Sequence, residues 1–144
     1  MHLGALWPFI VSAVVVHAAP DMTSTPDTLV SFTSALQAYQ SRYYPRAETL
    51  FTHLSTTQPD SPMTWYYLGL SRYRQRKHDT ATEALTRALT LSPREPSFYN
   101  ALGLTHIARG APDPAIANFN AALGLKPGYV QARYNLGLAY NSQG

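Results

Sequence analysis

Leu68-Gly69-Leu70, Leu102-Gly103-Leu104 and Leu136-Gly137-Leu138 are one triplet written three times at a spacing of 34 residues. Other positions keep the same step. Pro59, Pro93 and Pro127 follow it, as do Ala47, Ala81 and Ala115. Phe51, Leu85 and Phe119 share the interval, and Ala88 precedes Ala122 by the same distance. Independent marks that agree on one period define an array of small structural units, none of which can bury its apolar face alone. These marks divide the chain into Thr28–Ser61, Pro62–Glu95, Pro96–Tyr129 and a partial unit Val130–Gly144.

Each full unit reads as two helices. In the second unit Ser61 is placed to cap a helix opening at Pro62, a residue suited to the first turn. Trp65, Leu68, Gly69 and Tyr73 then recur near helical spacing. Arg76-Lys77-His78 breaks the pattern. Asp79 is the expected cap of a second helix carrying Ala81, Leu85, Ala88 and Leu89, which stops before Pro93. In the third unit a helix runs from Pro96 to Gly110, and Asp113-Pro114 is read as the next cap and first turn. Tyr44-Pro45 does the same in the first unit. The small residues imply close helix approach. Gly69 with Ala81, and Gly103 with Ala115, are expected at the crossing within a hairpin. Leu85 and Phe119 are expected to fill the groove against the next hairpin.

A helix–turn–helix of 34 residues with Trp65, Leu68, Gly69, Ala81, Leu85, Ala88 and Pro93 resembles the tetratricopeptide repeat (TPR). Tyr99, Leu102, Gly103, Ala115, Phe119, Ala122 and Pro127 match it in the third unit. The first unit keeps Ala35, Ala47, Phe51 and Pro59 but departs at Ser34 and Leu54. The fourth keeps Leu136, Gly137 and Tyr140. Sel1-like repeats are a rival with a usually longer period. The resemblance covers residues 28–144. It implies an all-α fold, a right-handed α-solenoid of three hairpins plus the first helix of a fourth. Where the family commonly has a large residue, this sequence has Arg72 and His106. Arg72 is expected to snorkel to the surface unless Tyr73 and Ile107 take over that role.

Residues ahead of the repeats read differently. Leu3 to Val16 is an apolar run without charge, and Val16-His17-Ala18 supplies small residues at the −3 and −1 positions of a cleavage site. Residues 1–18 are therefore expected to be a secretory signal peptide, with the mature protein starting at Ala19. The n-region has no Lys or Arg. An uncleaved anchor is the alternative, but the run is short of the ~20 residues a bilayer span requires. Residues 19–27, broken by two prolines, read as a linker. Export places the protein outside the cytoplasm, with a bacterial periplasm expected and secretion or membrane anchoring as alternatives.

Composition excludes several classes. The absence of cysteine removes disulfides, thiol chemistry and cysteine-ligated metals. A net charge of +3 is too weak a field to imply nucleic acid. The basic run Arg72-Tyr73-Arg74-Gln75-Arg76-Lys77 sits at a helix end, where cations favour the C-terminal dipole. No Gly-x-Ser-x-Gly, phosphate-binding glycine loop or His-Glu-x-x-His is present. His53, His78 and His106 fall in three units at unrelated positions, so no metal site is expected. Neither enzyme activity nor a cofactor is expected.

What remains is a surface for other proteins or peptides. In the family the first helices of successive hairpins line a concave groove. The resemblance places those positions on Leu29, Phe32, Leu36 and Tyr39, then Met63, Tyr66, Leu70 and Tyr73, then Ser97, Asn100, Leu104 and Ile107, and finally Gln131, Tyr134, Leu138 and Asn141. A family variant clamps a C-terminal carboxylate with cations and amides. The corresponding positions here carry Phe32, Leu36, Tyr67, Ser97 and Ala101, so that clamp is absent. The groove reads as aromatic and aliphatic, suited to an apolar helix or an extended peptide. Part of such a stripe can equally be core. Two functions follow: an exported adaptor, or the N-terminal repeat region of a larger envelope enzyme or secretion subunit. The last helix, without a partner helix of its own, is expected to self-associate or fray.

Overall fold

The computed structural model describes residues 30–144. The expected signal peptide, the whole of the linker and Leu29 lie outside the described residues. Seven helices follow: α1 (Phe32–Gln40), α2 (Tyr44–Thr57), α3 (Pro62–Arg74), α4 (His78–Leu91), α5 (Pro96–Ala108), α6 (Pro112–Leu125) and α7 (Val130–Ser142). No strand occurs among the described residues. Short connections make successive helices neighbours, and each helix packs chiefly on the one before and the one after. The odd-numbered helices also touch one another, α1 with α3, α3 with α5 and α5 with α7. The result is an α-solenoid of three hairpins, α1–α2, α3–α4 and α5–α6, followed by α7.

The corners repeat as regularly as the helices. Arg42, Arg76 and Gly110 all take a left-handed backbone, with φ of 64°, 64° and 72°. They end α1, α3 and α5 at the same place in each unit. Only the third carries the glycine that this conformation favours. Each of these corners starts the next helix early. α4 opens at His78 and α6 at Pro112, capped by the backbone of Lys77 and Ala111. Asp79 and Asp113 are thus in the first turn rather than at the expected cap, where their carboxylates still favour the N-terminal dipole. Ser61 does cap α3, accepting from Thr64 N at 3.4 Å. Ser31 and Ser34 form a reciprocal capping box on α1, which explains a serine where later units carry leucine.

One bond of the repeat is made by three different side chains. Trp65 Nε1 donates to the Pro59 carbonyl at 2.8 Å, the Tyr99 hydroxyl to Pro93 at 3.0 Å, and an Arg133 guanidinium nitrogen to Pro127 at 2.7 Å. Each ties the first helix of a unit to the proline turn before it, so a donor at the right reach is what the position requires.

The core is built on glycine and its cover. A methyl group on Gly69 would lie 2.6 Å from Leu85 Cγ and 3.2 Å from the Ala81 carbonyl oxygen. On Gly103 it would lie 2.5 Å from the Phe119 ring. Leu85 and Phe119 therefore close over the glycine of their own hairpin, rather than serving only the next one as expected. Leu85 also joins a cluster with Ala101 and Leu102. Leu54, the misfit of the first unit, is fully buried in the first cluster with Phe51 and Leu68.

Arg72 does not snorkel. Its Nε donates to Glu48 Oε1 at 3.2 Å and its guanidinium also reaches the Thr80 carbonyl. Gln75 and Lys77 reach the other oxygen of Glu48, at 2.8 and 2.6 Å. Burial alone would raise the Glu48 pKa, but the three hydrogen bonds outweigh it and hold the carboxyl below its usual range. This network joins the first hairpin to the second.

Candidate functional site

The odd helices present their inner faces to one groove of about 640 Å³. That volume lies within the ordinary range of small ligand sites. Its walls come from every odd helix: Tyr39 of α1; Tyr66, Leu70, Tyr73 and Arg74 of α3; Asn100, Ala101 and Leu104 of α5; and Val130, Gln131, Tyr134 and Asn135 of α7, with Tyr129 just before that helix. Five of these thirteen side chains are tyrosines. Arg74 is the one charged residue of the lining.

Of the residues proposed from sequence, Tyr39, Tyr66, Leu70, Tyr73, Asn100, Leu104, Gln131 and Tyr134 line the groove. Others do not. Phe32 turns into the interior, where its ring meets Phe51 and Tyr67 edge-on at 5.6 and 5.8 Å. Leu36 packs on the same cluster. Ile107 packs against Phe119, Ala115 and Ala139. Met63 and Leu138 are exposed outside the lining. Ser97 is engaged with Glu95, its hydroxyl donating to Oε1 at 2.9 Å, and Asn141 is exposed. The apolar stripe is thus divided: its first-unit part is mostly core, and its middle forms a wall.

Arg74, Ala101, Tyr129, Val130 and Asn135 also line the groove and were not among the proposed groove positions. Arg74 and Asn135 each follow a proposed residue, Tyr73 and Tyr134. Reading one residue per turn overlooks the neighbour when a groove crosses the helices obliquely. Tyr129 precedes α7, where helical spacing gives no signal.

The groove is held rather than loose. Tyr66 stacks on Phe98 with centroids 4.7 Å apart, and Tyr39 meets Tyr67 edge-on at 5.4 Å. Burial pushes the Tyr66 phenol well above its ordinary range, with neighbouring tyrosines adding to the shift. Burial also raises Tyr129, helped by Glu95. Both therefore remain neutral hydroxyls. The Tyr39 side chain beside Arg74 favours the charged guanidinium and raises its pKa. Across the groove, Asn135 Nδ2 donates to Asn100 Oδ1 at 3.0 Å, linking α7 to α5. Nothing in this constellation pairs a nucleophile with a base. No cluster of three His, Asp or Glu side chains suited to a metal occurs among the described residues. Nor is any described helix long and apolar enough to cross a membrane.

The comparisons with known proteins agree with this architecture. A family model described as tetratricopeptide repeat matches residues 32–96, 66–130 and 100–144, and the protein belongs to that family. No curated protein matches the sequence. Among solved structures, the protein is similar to the first TPR of Spaghetti (RPAP3) bound to the HSP90 peptide SRMEEVD. The TM-score is 0.75 at 17% identity, over 77% of this protein and 88% of that one. It is also similar to the Yersinia enterocolitica type III secretion chaperone SycD in complex with a peptide of the translocator YopD. Here the TM-score is 0.71 at 18% identity, over 78% of this protein and 91% of that one. MamA gives a TM-score of 0.74 at 24% identity, over 77% of this protein and 65% of that one. At these identities the likeness establishes the fold.

Proposed function

We propose that this protein is an exported, non-catalytic scaffold that holds a segment of a partner protein in its concave groove. The observation that carries this reading is the groove itself, lined from all four odd helices by aromatic and amide side chains and lacking a reactive pair. Two structures of the same fold are complexes with peptides, which supports the reading. Export rests on the apolar run from Leu3 to Val16 and the cleavage pattern ending at Ala18. A bacterial periplasm is the compartment it favours.

Site-specific photocrosslinking tests the groove. A crosslinking amino acid in place of Tyr66 or Tyr134 should trap a partner in the exporting host. The same group in place of Thr86, exposed on α4, should not. Equal yields at all three positions would remove the groove from the proposal. N-terminal sequencing of the exported protein should begin at Ala19; an intact N-terminus in the membrane fraction would overturn cleavage.

A further inference from the structure

The edge of the solenoid where the odd helices end carries cations that the fold itself does not use. Arg42 and Arg76 sit at the corners after α1 and α3 in a left-handed backbone, with φ of 64° at both. Glycine takes that conformation without the clash of a Cβ, as Gly110 does in the third unit. Both arginines are exposed. Among the described residues, the ion pairs at this edge join Arg72 and Lys77 to Glu48, and Arg109 to Asp79, and leave Arg42 and Arg76 out. Helix dipoles do not account for these two positions. At each corner the C-terminal pole of one helix adjoins the N-terminal pole of the next, so the two fields oppose. Arg46 is a third such cation. It is exposed in the first turn of α2, the pole where a positive charge is disfavoured. Three cations kept against local preference point to a partner outside the chain.

The topology gathers them. Each short connection reverses the chain, so α1 and α3 run in the same direction, and they touch. Their closing corners therefore share one edge. Glu48 answers two cations there, so even the paired part of the edge keeps a positive charge. The opposite edge, made by the turns before α3, α5 and α7, is balanced, with Asp60 and Glu95 against Arg94 and Lys126.

One more side chain selects the partner. Tyr43, beside Arg42, is 67% exposed, while Tyr44 is half-buried with its ring edge-on to Tyr39. A protein partner is anchored by a buried apolar centre, and single-stranded nucleic acid by several stacking rings. This corner offers one exposed ring among arginines. A headgroup layer asks for no more than that: guanidinium groups for its phosphates and an amphipathic ring at its depth. The choice also rests on the export reading above, under which the protein works beside a membrane leaflet.

We infer that this edge lies on an anionic lipid bilayer, with Arg42, Arg46 and Arg76 on lipid phosphates and the Tyr43 ring among the headgroups.

Flotation of the purified exported protein with phosphatidylglycerol vesicles tests this, with phosphatidylcholine vesicles as the neutral comparison. The protein should float with the first and not with the second, and added salt should release it. Arg42→Gly and Arg76→Gly should each weaken binding about fivefold. Neither should lower the melting temperature, because glycine relaxes the corner. Arg46→Gln should weaken binding by the same factor, and Arg94→Gln, on the opposite edge, should leave it unchanged. Binding that survives the three edge substitutions, or that falls as much with Arg94→Gln, would overturn the assignment of the edge. Equal flotation with both vesicles would assign the contact to apolar chain instead. If polyglutamate or single-stranded nucleic acid binds this edge more tightly than the vesicles do, the bilayer is the wrong partner. Failed flotation of protein that begins at Ala19 overturns this inference and leaves export standing. An intact N-terminus with flotation that depends on the three arginines overturns export and leaves the bilayer contact.

Discussion

At Gly103 a methyl group would press on the Phe119 ring at 2.5 Å, whereas at Gly137 it would meet nothing within 4 Å. The two glycines share one position of the repeat and the same flanking leucines. The difference spreads to their neighbours. Leu102 is buried, while Leu136 is only half covered. Three residues after the glycine, His106 has a buried Nδ1, whereas Tyr140 is 53% exposed. Leu138 and Tyr134 are likewise exposed on α7. A glycine in this motif is thus a permission for close approach. The close approach itself is supplied by the helix that follows, α6 over α5, and no described helix lies over Gly137. α7 is secured instead from behind, by Ala132 and Ala139, which are fully buried, and by Asn135, which bonds Asn100.

The largest expected effect tests the cover. Phe119 is fully buried, and Phe119→Ala removes the ring that closes over Gly103 and also touches α7 through Ala139. The loss should be about 3–5 kcal/mol, the scale for emptying a buried aromatic site. Because neighbouring units rely on one another, the exchange protection of α7 amides should fall together with that of α5 and α6. Loss of protection in α5 and α6 alone would show that α7 is held independently of the third hairpin.

A paired substitution tests the glycines directly. Gly103→Leu must displace Phe119 and should cost roughly 3 kcal/mol, as overpacking of a filled core does. Gly137→Leu meets no obstacle and should gain roughly 0.7 kcal/mol from helix propensity alone. Melting curves of the two variants should therefore move in opposite directions. A comparable loss at both positions would mean that Gly137 is covered in solution, and the contrast between the two regions would collapse.

Much of this fold was legible in the sequence, because a period of 34 residues carried by Gly, Ala and Pro constrains helix placement many times over. All seven helices lie where the period puts them. The turn chemistry was less legible. The left-handed corners fall on Arg42 and Arg76, residues that carry no signal for that conformation, and only Gly110 announces it. The caps expected at Asp79 and Asp113 failed for that reason, since the corner sets where the next helix starts. Arg72 was misread because its partner, Glu48, lies in the preceding unit. For the groove positions, spacing gave the helix that carries each residue but not the direction each side chain takes. Spacing on α1 cannot tell that Phe32 and Leu36 turn inward, because Phe51 and Tyr67, which receive Phe32, come from two other helices. Arg74 decides the electrostatics of the wall, yet in sequence it is one cation in a basic run.

The smallest expected effect concerns the third residue after the glycine and is read in pH. Burial, with the Arg109 cation as a second cause, lowers the His106 pKa in the folded protein. Its Nδ1 is buried without a partner, so protonation brings a charge to a site that offers it nothing. The unfolded state has the ordinary value near ~6.5 and binds the proton more readily. Stability is therefore full above about pH 6.5 and falls as the pH drops from there towards the depressed folded value, below which the loss is complete. The side chain as a whole is only half-buried, which keeps the effect small. Glu48, whose folded pKa is also lowered, contributes a separate loss at lower pH, near the carboxylate range. His106→Gln isolates the first component, because it removes the titration and leaves Glu48 in place. The melting temperatures of the two proteins should run parallel above about pH 7 and draw apart below it, with the parent falling faster. Tyr140→His offers the complementary arm. An imidazole at the open position on α7 should titrate near its ordinary value and add no comparable slope. A slope at position 140 equal to that at 106 would show that the outer face of α7 is as enclosed in solution as the third hairpin.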